Sequence, residues 1–307
     1  RPLHREKTRR RPLGFLGYNR ILMAIVKKRL TSNVPGEFYV DSTCIDCDAC
    51  RQLVPEVFED DGYQSFVLAQ PQGEEARRKA LRALLACPTG SIGTAGRNGA
   101  NGVIGDFPLR LEDEVYYCGF NSEKSYGGNS YFVRRPDGNW LMDSPRYVRR
   151  LAERLDELGG VDYIFLTHRD DVADAERYAR RFGGKRIIHA AEAAAQRGAE
   201  IILEGGEVVE PAPGFLIIPT PGHTRGHCVL LYDGRFLFSG DHLSWERGTE
   251  RLRASRHVCW YSWPEQTRSM ARLCEYSFEW VLPGHGQRVK LPSSVMQKQV
   301  RELVERM

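Results

Sequence analysis

The stretch Cys44-Ile45-Asp46-Cys47-Asp48-Ala49-Cys50, answered 37 positions later by Cys87-Pro88, decides the reading of the first domain. Two-residue gaps let one loop present three thiolates to three corners of a cubane cluster. A distant Cys closes the fourth corner, and the following Pro turns the backbone away. In the compact C-x2-C-x2-C-x3-C-P run a fourth Cys follows at once and serves a second cluster. Here no Cys follows Cys50 at that spacing and no second triplet occurs. The pattern therefore predicts one [4Fe–4S] cluster on Cys44, Cys47, Cys50 and Cys87. Zinc sites favour paired C-x2-C knuckles, not a triplet plus Cys-Pro. Disulfide frameworks belong to small secreted chains. The other four cysteines (Cys118, Cys228, Cys259 and Cys274) are scattered, which fits a reducing compartment.

Outward from that loop, Glu37–Val40 reads as a strand and Ser65–Ala69 as another. Residues 73–87 read as a helix with Glu74 and Glu75 in its first turn and Ala80, Leu81, Leu84 and Leu85 on one face. Seven acids, Asp41, Asp46, Asp48, Glu56, Glu59, Asp60 and Asp61, surround the cysteines with Arg51 as compensation. Such charge steers basic partners and lowers a cluster potential, or serves solubility alone.

The net charge of +4 hides an asymmetry. Residues 1–30 carry ten Lys/Arg and one acid, Glu6, a balance of +9 that leaves −5 for the rest. The chain opens at Arg1, and its Arg-rich, acid-poor start reads as the end of an organellar transit peptide. A basic arm over 1–36 also suits an acidic partner: nucleic acid, an anionic membrane face or a large organellar assembly. A short amphipathic helix is expected there, with Ile21, Leu22, Ile25 and Val26 on one face. No run approaches the ~18 apolar residues of a membrane span, so a membrane-spanning protein is not expected. The domain boundaries read as arm 1–36, iron–sulfur domain 37–95, a Gly/Asn-rich linker 96–107 and a second domain 108–307.

In the second domain strand-like and helix-like runs alternate. YFVRRPDGNWLMDS (131–144) reads as a hairpin ending at Asp143, and YVRRLAERLDELGG (147–160) as an amphipathic helix. Four short motifs follow: IFLTHRDD with His168, TPGHTRGH with His223, FSGDHL with Asp241, and VLPGHG with His285. Histidines and carboxylates on loops after strands are the donor types that hold one or two metal ions for hydrolysis.

Two resemblances follow from these residues. FYVDSTCIDCDACRQLVPEVFEDDGYQSFVLAQP…ALLACPTGSI resembles single-cluster bacterial-type ferredoxins. The four later motifs, in this order, resemble metallo-β-lactamase-fold hydrolases, including glyoxalase-II-like enzymes. Together they imply an α+β chain: a ferredoxin-like iron–sulfur domain followed by a metallo-β-lactamase αββα sandwich. By position, the second resemblance implies His168, His223 and His285 as ligands and Asp241 as the bridging carboxylate. The family's H-x-H-x-D-H is broken, however. Asp170 stands at the second His, Val172 at the Asp and Ala173 at the last His. Val and Ala bind no metal, so Asp174 is a candidate from a shifted loop. Asp170 is a harder ligand than His and favours iron or manganese over zinc. Flavodiiron-type relatives also place a carboxylate, Glu, in that slot.

The bland alternative is a helix over 170–184, with Asp170 or Asp171 as its N-cap and Asp174 in its first turn. His227 and His242 flank the motifs, the second as a substitute ligand or a hydrogen-bonding neighbour. His189 and His257 read as structural. Trp260, Tyr261 and Trp263 either wall a pocket or pack in the core.

Three functions fit this pattern. One is a hydrolase holding a Zn, Fe or Mn ion on His168, Asp170, Asp174, His223, Asp241 and His285, with Asp170 and Asp241 catalytic. Another is an oxidoreductase fed by the cluster from an electron donor or acceptor protein. The third is a non-catalytic docking subunit of an organellar complex. Fusions with THRDD in this place resemble those of plants, algae and cyanobacteria, which implies a chloroplast location, with the mitochondrion as alternative.

Overall fold

The computed structural model describes residues 24–96 and 99–307. The arm up to residue 23, with half of the helix expected at Ile21 and Leu22, lies outside the described residues. Its described end forms a single 3-10 turn, Val26–Lys28.

The first domain runs β1 (Phe38–Val40), α1 (Ala49–Leu53), β2 (Phe58–Asp60), β3 (Ser65–Val67), α2 (Gly73–Ala86) and β4 (Ile92–Thr94). β1 pairs antiparallel with β4, Phe38 opposite Thr94, while β2 and β3 form a hairpin. Helix α2 buries Ala80, Leu81, Leu84 and Leu85, the face its spacing predicts. It stops at Ala86 because Pro88 excludes helical backbone from Cys87, which sits at φ −57°, ψ 120°. The same proline thus ends the helix and sets the last cysteine.

Residues 99–107, within the stretch read as a linker, pack onto α2 through two 3-10 turns, Gly99–Gly102 and Ile104–Asp106. Ala100, Val103 and Phe107 are buried at helical spacing. Asp106 accepts from Arg78 at 2.8 Å and Arg82 at 2.7 Å, both on α2.

The second domain continues with β5 (Leu109–Glu112), β6 (Val115–Tyr117), β7 (Tyr131–Val133), β8 (Trp140–Met142), α3 (Arg149–Glu157), β9 (Tyr163–Phe165), α4 (Ala175–Phe182), β10 (Lys185–His189) and β11 (Ile201–Leu203). These strands make one sheet in the order β11-β10-β9-β8-β7-β6-β5. Strands β8 to β11 are parallel and the others antiparallel. Next come β12 (Val209–Ala212), β13 (Phe215–Pro219), β14 (Cys228–Tyr232), β15 (Phe236–Gly240), β16 (Ser244–Glu246), β17 (Arg251–Arg253), α5 (Trp263–Leu273), β18 (Trp280–Pro283), β19 (Val289–Lys290) and α6 (Ser293–Arg306). The second sheet has the order β12-β13-β14-β15-β18-β19.

The two-residue period of its strands sorts the apolar residues between two cores. Ile217, Leu230, Phe236, Phe238 and Leu282 face the first sheet. Ile218, Val229, Leu231, Leu237 and Val281 face the other way, onto Met270, Leu273, Met296 and Val300 of α5 and α6. The inner core also takes in Phe38, Leu81 and Leu84, so the iron–sulfur domain and the sandwich share one apolar interior.

Candidate cluster cradle and metal centre

All four predicted cluster cysteines line one small cavity, with Val40, Ile45 and Ile92 as apolar walls. All are free thiols. The loop curls because Asp46 and Asp48 adopt positive φ, 56° and 66°, a conformation Asp tolerates better than most residues. Burial pushes the thiols of Cys44, Cys47 and Cys50 up, Cys50 to about 12. Four thiols converging from two segments, with no pairing between them, fit a four-iron cluster, whose assembly must take their protons away. Of the acidic surround, Asp46, Asp48 and Asp60 turn to Arg51 at 2.7, 2.9 and 3.6 Å. Asp41 is buried and structural, accepting from the Ile25 and Thr43 amides at 2.6 and 2.9 Å.

The second constellation assembles where strands of both sheets end. His168 follows β9, His223 follows β13, Asp241 follows β15 and His285 follows β18. His168 is fully buried. Its Nδ1 lies 2.9 Å from Thr167 Oγ1, which lies 3.0 Å from both Asp143 oxygens. The Thr hydroxyl donates to the carboxylate and accepts from Nδ1–H, leaving the Nε2 lone pair aimed into the site. Burial holds the His168 pKa down at about 4, so the ring is neutral and able to ligate. Burial likewise raises Asp143 to about 7.

His168 Nε2 and His223 Nε2 are buried with no hydrogen-bond partner among the described residues. Both face the same two carboxylates. Asp170 Oδ2 lies 3.8 and 3.6 Å away, and so does Asp241 Oδ2. Asp170 is the accessible member, its side chain 46% exposed. The neighbouring His223 imidazole keeps it below the usual carboxylate range.

A second ligand group shares Asp241 and adds Asp171 and His285. His285 Nε2 lies 3.1 Å from the Ser125 carbonyl, to which it donates, so Nδ1 faces Asp241 at 2.9 Å. Burial alone would lower this imidazole. Asp241, then Asp171, overcome it and hold it at about 10. Both Asp171 oxygens are buried without a hydrogen-bond partner among the described residues, and burial, then Asp241, pushes its carboxyl well up.

Two expectations are corrected here. Asp174 is not part of the cluster: it accepts from Lys124 Nζ and the Tyr147 amide, both at 2.7 Å. Asp171 is no helix cap. A 3-10 turn occupies Arg169–Asp171, and α4 starts only at Ala175. The chain breaks direction at Ala173, φ 31°, so no helix runs through from 170.

The neighbouring histidines divide. The Asp241 amide donates to His227 Nε2 at 3.1 Å, so His227 Nδ1–H donates to Thr220 and the ring props the loop rather than ligating. His242 stacks on it, ring centroids 5.7 Å apart, and joins neither ligand group. His189 is structural, 3.0 Å from the Gly205 carbonyl, and His257 is exposed. Trp260 and Tyr261 are exposed, not core, and their amides donate to the His223 carbonyl. Sequence reading missed Glu192. This buried carboxylate accepts from the Arg169 amide at 3.3 Å and the Gly226 amide at 2.6 Å, tying the His168 loop to the His223 loop. Nothing in its Ala-rich surroundings signals that role.

Sheets, strand-end histidines and shared carboxylate together define the class: the chain belongs to the metallo-beta-lactamase superfamily, whose family model matches residues 109–299. Ahead of it, residues 40–94 match the 4Fe-4S single cluster domain of ferredoxin I. A hydroxyacylglutathione hydrolase of Acidiphilium cryptum (strain JF-5) is 31% identical over 123 residues, 39% of this chain and 46% of that one. One of Stenotrophomonas maltophilia (strain R551-3) is 35% identical over 109 residues, 35% and 42%. The chain thus spans less than half the length of these curated relatives. Among solved structures, a metallo-beta-lactamase family protein of Thermus thermophilus is 19% identical, covering 64% of this chain and 79% of that one, with a TM-score of 0.47. No helix among the described residues is long and apolar enough to cross a membrane.

Proposed function

We propose that the second domain is a metal-dependent hydrolase acting on an acyl bond, an ester or thioester. The observation that carries this is the pair of buried, partnerless imidazole nitrogens of His168 and His223, each facing Asp170 and Asp241 at 3.6–3.8 Å. Such nitrogens are costly in a metal-free interior and are satisfied by a cation. His168, Asp170, His223 and Asp241 would hold one ion, and Asp171 and His285, with Asp241 shared, a second. When bound, a metal ion supplies Lewis acidity and activates water near neutral pH. The carboxylate in place of a second imidazole favours iron or manganese.

The chain's own residues do the rest. Asp170, ionised and accessible, stands at the mouth, where it accepts a proton from an incoming water or orients it. Trp260 presents an exposed ring 6.3 Å from that of His223, with exposed Tyr261 next to it in the chain, a rim suited to an apolar acyl group or leaving group. The likeness to two hydroxyacylglutathione hydrolases supports acyl hydrolysis as the class. The test is a metal count with thioesterase and esterase assays on wild type and His223→Ala. One to two equivalents beyond the four cluster irons, lost with the activity in the variant, are the expected result. A variant that keeps full activity would sink the reading.

A further inference from the structure

The loop from Asn121 to Asn129 stands between the cluster cradle and the candidate metal centre and touches both. On the cluster side, a Cβ placed on Gly127 would sit 2.5 Å from Cys47 Cβ and 2.9 Å from Cys47 Sγ. On the other side, a Cβ on Gly128 would sit 2.7 Å from Asp171 Oδ1. Two adjacent glycines thus let the backbone lie flat against a cluster ligand and a metal-ligand candidate at once. Consecutive Cα atoms are 3.8 Å apart, so Cys47 Sγ and the Asp171 carboxylate are separated by about 12 Å at most.

The wall is held firmly from both directions. The Asn121 amide donates to the Ala86 carbonyl, one residue before Cys87. The Asn129 side chain donates to Gln52, two residues after Cys50, at 3.1 Å. The Asn129 amide donates to Gly284, beside His285, at 2.7 Å, and the Ser125 carbonyl accepts from His285 itself. Tyr117 and Asn121 brace the loop from beneath, the hydroxyl donating to Asn121 Oδ1 at 2.7 Å and Asn121 Nδ2 to the Gly127 carbonyl at 2.6 Å. Asn121, Asn129 and Tyr131 on this wall are all buried.

We infer that the cluster's redox state sets the affinity of the second domain for its metal, through the field acting across this wall. The inference rests on the metal-binding reading above. Reduction adds one electron to the cluster, supplied by a low-potential one-electron donor, and breaks no bond. At an effective dielectric of about 20, one added unit charge about 12 Å from a divalent ion changes affinity about a hundredfold. The reduced cluster therefore retains the metal and the oxidised cluster releases it more readily. Linkage requires the converse: bound metal makes the cluster easier to reduce by the same factor.

The test uses anaerobic full chain with its cluster complete, and Zn²⁺ as a probe that cannot itself take part in the redox step. Zinc affinity is measured by competition with a chromophoric chelator, before and after reduction with dithionite. The cluster midpoint potential is measured by potentiometric titration with and without saturating zinc. The expected result is about a hundredfold tighter zinc in the reduced protein and a midpoint about 118 mV higher with zinc bound, the one-electron equivalent of that factor. Both effects should vanish in Asp241→Ala/His285→Ala, which removes the carboxylate that both ligand groups share, with four irons and their sulfide retained. Zinc bound equally in both states, with an unmoved potential, overturns the linkage and leaves the metal site standing. No zinc binding in either state overturns both readings. A shift that survives in the double variant places the zinc elsewhere and overturns the linkage.

Discussion

Asp171 and Asp174 lie three positions apart and have opposite fates. Asp174 is satisfied by Lys124 and the Tyr147 amide, while Asp171 has neither oxygen satisfied. Asp174→Asn should therefore cost about 1–2 kcal/mol of stability and leave metal content unchanged. Asp171→Asn should lower metal content, and it should stabilise the metal-free protein by removing a buried carboxyl that resists ionisation. Urea melts of metal-free protein and metal analysis separate the two; equal metal content in both variants would refute the assignment of Asp171. His285 supplies a pH test. Its folded pKa, about 10, stands above the ordinary 6.5. The protonated form is favoured by folding, so its contribution is complete below about 6.5 and fades as pH rises through about 10. Metal-free wild type should lose melting temperature over that window more steeply than His285→Gln; parallel curves would count against the Asp241–His285 pair. That Cys44, Cys47, Cys50 and Cys87 meet in one cavity was legible in the sequence because the triplet's two-residue gaps and the Cys-Pro pair are local patterns. Asp171 was not, because a 3-10 turn and a helix start share the same polar residues, and only the reversal at Ala173 tells them apart.

Elements position these groups more than they contribute chemistry. The strands at 37–40, 65–69 and in the 131–144 hairpin were readable from their apolar runs, and the second sheet alternates faces residue by residue. Residues 96–107 misled because Gly and Asn usually mark free loops, whereas Ala100, Val103 and Phe107 supply a buried stripe. The Asn121–Asn129 loop left no sequence signal either: its role depends on two contacts made by backbone, on opposite sides. That dependence is testable. Gly127 has φ 88°, and any side chain there meets Cys47 and Pro88. Gly127→Ala should destabilise the protein by more than about 2 kcal/mol, combining the left-handed strain with overlap. It should also lower bound iron and the cluster's visible absorbance. Gly205→Ala is the control: it carries a comparable φ of 79° with open space around it, so it bears the backbone strain alone and should keep full iron. Iron lost equally from both variants would mean that strain, not contact with Cys47, is the cause.

Two sequence families meet in this chain, yet they do not form two separable cores. Phe38, Leu81 and Leu84 of the first domain lie in the same apolar cluster as Phe107, Phe120 and Tyr131, and continue through it to Leu282. Polar contacts cross the same boundary: Arg146 reaches the Leu85 carbonyl at 3.1 Å, and Asn129 reaches Gln52. A linker joining independent domains would leave each able to melt alone. A shared interior instead makes exposure of one half a loss for the other, because each Leu or Phe stripped of its cover forfeits about 1.5–3 kcal/mol. Unfolding of the anaerobic holoprotein by guanidinium should then follow one transition, with cluster absorbance and tryptophan fluorescence falling together. The five tryptophans all lie in the second domain, Trp140 to Trp280, so the two signals report on opposite halves. Separate midpoints, with absorbance lost well before fluorescence changes, would show that the cluster domain peels away from an intact sandwich. That outcome would confine the Gly127–Gly128 wall to a contact between independent units.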